Sequence, residues 1–259
     1  MPSLLILGQL LILNSTPLHR NSLPPSDYTF ANLETVITSK DNINTRADTS
    51  YSHIVDKSTM EQLIPLKLTH VALCNNHSMD SGPEGIKNTV QWLESKNIKI
   101  SGISDIISPT IISNDDSESK VVIISMATGL LHVDSKKYIN ILENYTDFKY
   151  YKLLIHLYKT KGYSVIIMHH YHLDTSKLQI MIAHGLIDAG ADLYVSNGKA
   201  CVGDYEIYRD QYIFYNLGSY IFQSRHTYPP TGYTSLNILV NIQDNKIAVT
   251  DLYYRHAFI

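Results

Sequence analysis

At 259 residues, with 44% hydrophobic and 17% charged side chains, the chain is long enough to bury the core of one α/β domain spanning residues 1–259. A formal net charge of -3 without a Lys/Arg cluster argues against nucleic acid or an anionic membrane surface as the main partner. Two cysteines, Cys74 and Cys201, exclude a disulfide framework and point to a reducing cytoplasm, while 12 His keep metal or acid–base chemistry open.

Leu4 to Leu13 is too short to cross a bilayer and lacks a basic flank and a small-residue cleavage site, so it reads as a buried first strand and no membrane segment is expected. Beyond a loop through Pro24-Pro25, Tyr28-Thr29-Phe30-Ala31 leads into Asn32-Leu33-Glu34, a strand ending in an amide and a carboxylate. Asp41 to Ser52 is polar and irregular, and Lys57 to Ile64 is predicted as a short helix stopped near Pro65.

The apolar run Val71 to Cys74 has the length and β-branched start of a buried strand, and it breaks into Asn75-Asn76-His77-Ser78-Met79-Asp80. A helix follows: Ser81 and Glu84 have capping-box spacing, Pro83 sits in the first turn, and Ile86, Val90 and Leu93 share one face. A polar loop at the carboxyl end of a buried strand is where α/β sheets place ligand sites, which singles out Asn75, Asn76, His77 and Asp80. Ordinary turn chemistry would explain the same residues taken alone.

Farther along, Ile98 to Ser101 is a brief strand, and Ile111 to Ser113 and Val121 to Met126 flank an acidic turn at Asn114 to Ser117. Ala127 to Phe148 is the least patterned stretch and reads as a variable loop or lid, followed by weak helical character over Lys149 to Lys161. Val165 to Met168 is a second buried strand running into His169-His170-Tyr171-His172. Ser176 to Ala189 is predicted as an amphipathic helix with Leu178, Met181, Ile182 and Leu186 inward and Gly190 ending it. After the strand Leu193 to Val195, the segments Tyr205–Tyr208, Tyr212–Tyr215, Leu236–Ile242 and Ile247–Leu252 read as an antiparallel set, the last two joined at Asp244-Asn245. Strands and helices in this order indicate a layered α/β sandwich.

Three strand ends deliver Glu34, Asn76 with His77, and His169. A carboxylate, an amide oxygen and an imidazole suit Zn, Mn or Fe, and an unligated His77 would serve as general acid.

On Ala31-Asn32-Leu33-Glu34, Asn75-Asn76-His77 with Asp80 and Gly82, Gly190-Ala191-Asp192 and Tyr215-Asn216-Leu217-Gly218-Ser219-Tyr220-Ile221-Phe222, the sequence resembles the poly-γ-glutamate capsule-synthesis accessory (CapA or PgsA-like) family, a branch of the calcineurin-like metallophosphoesterases. The resemblance implies a four-layer α/β/β/α sandwich with a two-metal site at the strand ends. The chain departs from the family pattern at Gly8-Gln9, where Gly-Asp is usual, and at Asn197 and Ala200, where the family has two His. These losses reduce the expected metal set to Glu34, Asn76 and His169, with His172 as a replacement imidazole and His170 pointing away by strand alternation.

In the active reading, the chain is a one-ion hydrolase of phosphoester or γ-glutamyl amide bonds in a small-molecule or polymer substrate, with His77 protonating the leaving group and Asp80 orienting it. The competing reading is an inactive binding or accessory protein that keeps the fold. Cys74 and Cys201 are expected to be buried apolar cysteines; the alternative brings them together near the site to ligate a soft metal or respond to oxidants, and Tyr228-Pro229-Pro230 is placed to form a rim over it.

Overall fold

The computed structural model describes residues 2–14, 23–38, 52–103, 110–113, 119–129, 134–173, 177–223 and 233–257. Most of the polar stretch from Asp41, the acidic turn at Asn114 to Ser117, and the Tyr228-Pro229-Pro230 rim lie outside these residues.

The Leu4 to Leu13 run is two strands, β1 (Ser3–Ile6) and β2 (Gln9–Leu11). The break falls at Gly8, where a Cβ would sit 2.6 Å from both Gly218 O and Ser235 Oγ, so only glycine lets the backbones approach. β2 leaves the main sheet to pair in parallel with β14 (Ser219–Phe222).

Four consecutive parallel strands, running out to one edge, make most of the first six-stranded sheet: β1, β3 (Tyr28–Asn32), β6 (His70–Ala72) and β7 (Lys99–Ser101). The hairpin β15 (Tyr233–Gln243) and β16 (Lys246–Ala257) extends its other side, antiparallel to β1. Its turn residues Asp244 and Asn245 both have positive φ, as a two-residue primed turn requires. The second six-stranded sheet has the order β12 (Tyr205–Tyr208), β13 (Gln211–Phe214), β11 (Leu193–Asn197), β10 (Ser164–Tyr171), β9 (Lys120–Thr128) and β8 (Thr110–Ser113). The expected antiparallel set is therefore two hairpins in different sheets, and β13 also pairs in parallel with β11. A small parallel pair, β4 (Val36–Ile37) and β5 (Ile54–Val55), sits beside the first sheet, followed by α1 (Lys57–Met60) and a 3-10 segment, Glu61–Leu66, that accommodates Pro65.

Alternation along each strand divides the core into three layers. Leu4, Ile6 and Phe30 face Ile123, Ile166, Met168, Val195 and Phe214 between the sheets. Leu5, Leu7, Ala31 and Val71 pack outward under Trp92 and Leu93 of α2 (Gly82–Ser95). Val122, Ile124, Val165 and Ile167 pack under Tyr151 and Ile155 of α3 (Tyr145–Thr160) and Ile182 and Leu186 of α4 (Lys177–Asp188). The architecture is the four-layer α/β/β/α sandwich expected. Among the described residues no helix is long and apolar enough to cross a membrane.

Local expectations fared unevenly. α2 starts at Ser81, but φ -108° and ψ 22° there keep the hydroxyl from capping, so the Ser81/Glu84 box does not form. A true capping box stands where a loop or lid was expected: Asn144 Oδ1 accepts from Thr146 N and Asp147 N, and Asp147 accepts from the Asn144 amide, starting α3 inside the Ala127 to Phe148 stretch. On α4, Ile182 and Leu186 are buried as expected, but Leu178 and Met181 are exposed. Gln179 takes the inward place instead, donating to Ser196 Oγ and Tyr215 O at 3.0 Å each.

Candidate functional site

Glu34, Asn76 and the paired imidazoles His169 and His170 lie at or just beyond the ends of parallel strands, and strand parity decides which face each strand residue meets. Phe30 is in the inter-sheet core while Ala31 and Leu33 pack outward, so Asn32 and Glu34 continue the inter-sheet face. On β10, Ile166, Met168 and His170 share that face; on β11, Leu193, Val195 and Asn197 do.

His169 therefore points the other way, which corrects its expected place among the metal ligands. Its Nε2 lies 2.8 Å from Thr128 Oγ1 and its Nδ1 2.7 Å from Tyr194 OH, beneath the helices, and burial pushes its pKa down to about 3. His170, expected to point away, occupies the site. Adjacent positions on a strand with apolar residues on both faces carry no sign of which face is which, so only the packing of the helices settles the parity.

A directional chain of hydrogen bonds orients His170. The Asn75 amide donates to Leu33 O at 2.8 Å and to Asn32 Oδ1 at 3.3 Å. Asn32 Nδ2 then lies 3.3 Å from His170 Nδ1, and His170 Nε2 lies 2.8 Å from Asn76 Oδ1. Asn76 Oδ1 can only accept, so the proton is on Nε2 and Nδ1 accepts from Asn32. Burial keeps this imidazole neutral by pushing its pKa well below the ordinary value. Glu34 Oε1 stands 3.3 Å from the same Nδ1, and burial, reinforced by the charge of Asp80 and opposed by that of His77, raises its carboxyl to about 7.

A second group joins the first through Asp80. One carboxylate oxygen accepts from the His53 amide at 2.6 Å and meets His77 Nδ1 at 2.8 Å. The His53 and His77 rings stack with centroids 3.4 Å apart, and His53 Nδ1 donates to Glu34 O at 3.0 Å. His53 had no sequence signal: it sits at the end of a polar, irregular stretch, 27 positions before the carboxylate that receives it.

His172 is at the rim, with Nδ1 donating to Gly198 O at 3.2 Å and its ring parallel to that of His170 at 6.1 Å. Gly198, at φ +134° and with the space of a Cβ filled by Tyr171 O at 2.2 Å, donates its amide to Gln9 Oε1 at 3.2 Å. The Asn197 amide nitrogen rests on Met168 Sδ, and its oxygen is buried without a partner. Cys74 belongs to the inter-sheet core, where burial pushes its thiol up to about 12; Cys201 is exposed, and neither is in a disulfide.

Two donor sets can be compared as metal sites. Glu34 and Asn76 each meet His170, but the carboxylate and the amide oxygen meet opposite edges of the imidazole, so the three do not converge on one point. His53, His77 and Asp80 each place one donor atom within 4.8 Å of the others, close enough for one ion to bridge. Two imidazoles and a carboxylate form a donor set suited to a divalent transition metal.

The fold has a solved counterpart in the crystal structure of a hypothetical protein from Thermus thermophilus, with a TM-score of 0.58 at 9% identity, covering 98% of this chain and 99% of that one. Among curated proteins, the chain is 27% identical over 213 residues to the PGA biosynthesis protein CapA of Bacillus subtilis (strain 168), covering 78% of this chain and 55% of the relative. It is 22% identical over 250 residues to the Capsule biosynthesis protein CapA of Bacillus anthracis, covering 89% of this chain and 58% of the relative. The chain thus spans a little over half the length of these curated relatives. Residues 17–224, carrying Glu34, the Asn76-His77 loop, Asp80 and His170, match the family described as Bacterial capsule synthesis protein PGA_cap, and the chain belongs to that family.

Proposed function

We propose that this CapA-like chain is a hydrolase that uses one divalent ion, Zn, Mn or Fe, to cleave phosphoester or γ-glutamyl amide bonds in a small-molecule or polymer substrate. The observation that carries the reading is the convergence of His53, His77 and Asp80 donor atoms within 4.8 Å, beside a buried carboxyl. The printed names of the two Bacillus relatives support the link to capsule polymer.

His53, His77 and Asp80 would hold the ion, which supplies a Lewis acid for the scissile group and a means of acidifying water. Asp80 orients the His77 ring through Nδ1 and anchors the His53 backbone through its amide, while Glu34 O holds the His53 ring at Nδ1. Glu34 moves the proton: it faces His170 Nδ1, and the Asn75, Asn32, His170 and Asn76 chain fixes the direction in which its carboxyl can exchange one. This moves His77 and Asp80 from the proton-transfer roles expected from the sequence to the ion, and it leaves Asn76 and His170 to position Glu34.

Elemental analysis of protein purified without added metal, paired with a phosphoester and γ-glutamyl amide screen, tests the assignment. Wild type should carry one Zn, Mn or Fe; His53→Ala and His77→Ala should lose it. Glu34→Gln should keep it while turnover falls about 10²- to 10⁴-fold. A His77→Ala variant that keeps the ion and loses turnover would restore His77 to the proton-donor role. Wild type without metal and without turnover would favour the binding or accessory reading.

A further inference from the structure

The outer layer over the second sheet is built from α3 and α4, which pack side by side: a Cβ at Gly185 of α4 would meet the Phe148 ring of α3 at 2.5 Å. Their inward residues, Tyr151, Leu154 and Ile155 on α3 and Ile182, Ala183 and Leu186 on α4, satisfy the sheet. The opposite face of this pair is not the polar surface that a water-facing helix normally presents. On α3, Tyr145, Leu153 and Leu157 share one outward stripe at i, i+8 and i+12, with Leu153 66% exposed. On α4, Met181 is 67% and Leu178 47% exposed.

The charge on the same layer is one-sided. The two carboxylates within these helices are already matched, Asp147 by Lys136 and Asp188 by Arg209, each at 2.9 Å. Among the described residues, Lys149, Lys152, Lys161 and Lys177 have no carboxylate partner, and Glu143 just before α3 offsets their charge in part. Lys149 and Lys152 lie over the Tyr145 and Phe148 rings, so cations and exposed apolar surface are interleaved. Aliphatic and aromatic side chains ringed by lysines are what a helix lying in a membrane interface presents, with the apolar groups entering the acyl boundary and the ammonium groups meeting anionic headgroups. A soluble polyanion would use the lysines and leave Leu153 and Met181 without a purpose.

We propose that the outer face of α3 and α4 docks this protein on an anionic lipid bilayer. α4 begins six residues after β10, the strand that carries His170. Lys149 and Lys152 share α3, Lys161 caps it and Lys177 opens α4, so no contiguous basic run marks this face in the sequence, and the packing of α4 beside α3 joins the two groups.

Co-sedimentation of the full chain with phosphatidylglycerol-containing and pure phosphatidylcholine vesicles, with circular dichroism to verify folding, is the test. Wild type should pellet with the anionic vesicles only. The pairs Leu153→Gln with Met181→Gln, and Lys149→Glu with Lys152→Glu, should each weaken that partition by about tenfold or more. Lys57→Glu, on the opposite outer layer, should leave it unchanged. No pelleting of wild type with anionic vesicles would overturn the proposal. So would retention on soluble polyglutamate that depends on the lysines and ignores the Leu153→Gln and Met181→Gln pair, or a concentration-dependent dimer broken by the same variants without vesicle binding.

Discussion

Asp80 is buried, and one of its oxygens serves two residues, accepting from the His53 amide at 2.6 Å and from His77 Nδ1 at 2.8 Å. Asp80→Ala removes an acceptor from a largely buried amide, so it should cost about 1–3 kcal/mol in urea unfolding, and Asp80→Asn, which keeps an oxygen there, should recover part of the loss. His169 makes the opposite kind of prediction, one of pH. Its pKa falls from 6.5 to about 3 on folding because burial disfavours the charged ring. Between those values the unfolded chain binds the extra proton, so the stability present above pH 6.5 is lost as pH falls towards 3, by up to about 1.4 kcal/mol per pH unit. Thermal melts of His169→Gln, which can keep contacts to Thr128 and Tyr194, should decline less steeply over that window.

Single positions also govern whole elements. α3 starts where Asn144 and Asp147 satisfy one another's backbone groups, so Asn144→Ala should lower stability by about 1 kcal/mol in chemical denaturation. The break between β1 and β2 depends on Gly8, which turns the chain away from the first sheet and towards β14. A methyl group there meets Gly218 O, a backbone atom that cannot rotate aside. Gly8→Ala should therefore cost about 1–3 kcal/mol and disturb Gln9, whose Oε1 receives the Gly198 amide beside His172. Both effects are readable as shifts in denaturation midpoint at constant slope.

At the scale of the molecule, the two sheets share one apolar layer, and each site strand ends at its margin. Phe30 is fully buried there, opposite residues of the second sheet. Phe30→Ala should cost about 3–5 kcal/mol. If the chain is one domain, far-ultraviolet dichroism and tyrosine fluorescence should fall together in that variant, with a single calorimetric transition. Separate transitions would divide the chain into independently folding parts. The same layering explains why the site can be assembled from residues as distant as Glu34, Asn76 and His170: parallel strands bring their carboxyl ends to one margin whatever lies between them.

What the sequence by itself determined were the features written in contiguous residues: the apolar strands, the helix after Asp80, the Gly190 helix end, the Asp244-Asn245 hairpin, and the polar strand ends at Glu34 and at Asn76, His77 and Asp80. Short-range periodicity and turn chemistry act within a few residues, so they survive in a linear reading. The tertiary structure alone decided which of two adjacent imidazoles faces the site, because both faces of β10 are apolar and the helices choose between them. It alone brought His53 to Asp80, split the Leu4 to Leu13 run at a backbone contact with Gly218, and turned Leu178 and Met181 outward while Gln179 found buried partners. Each of these depends on a contact between residues distant in the chain, and the energy of such a contact has no local trace in the order of residues.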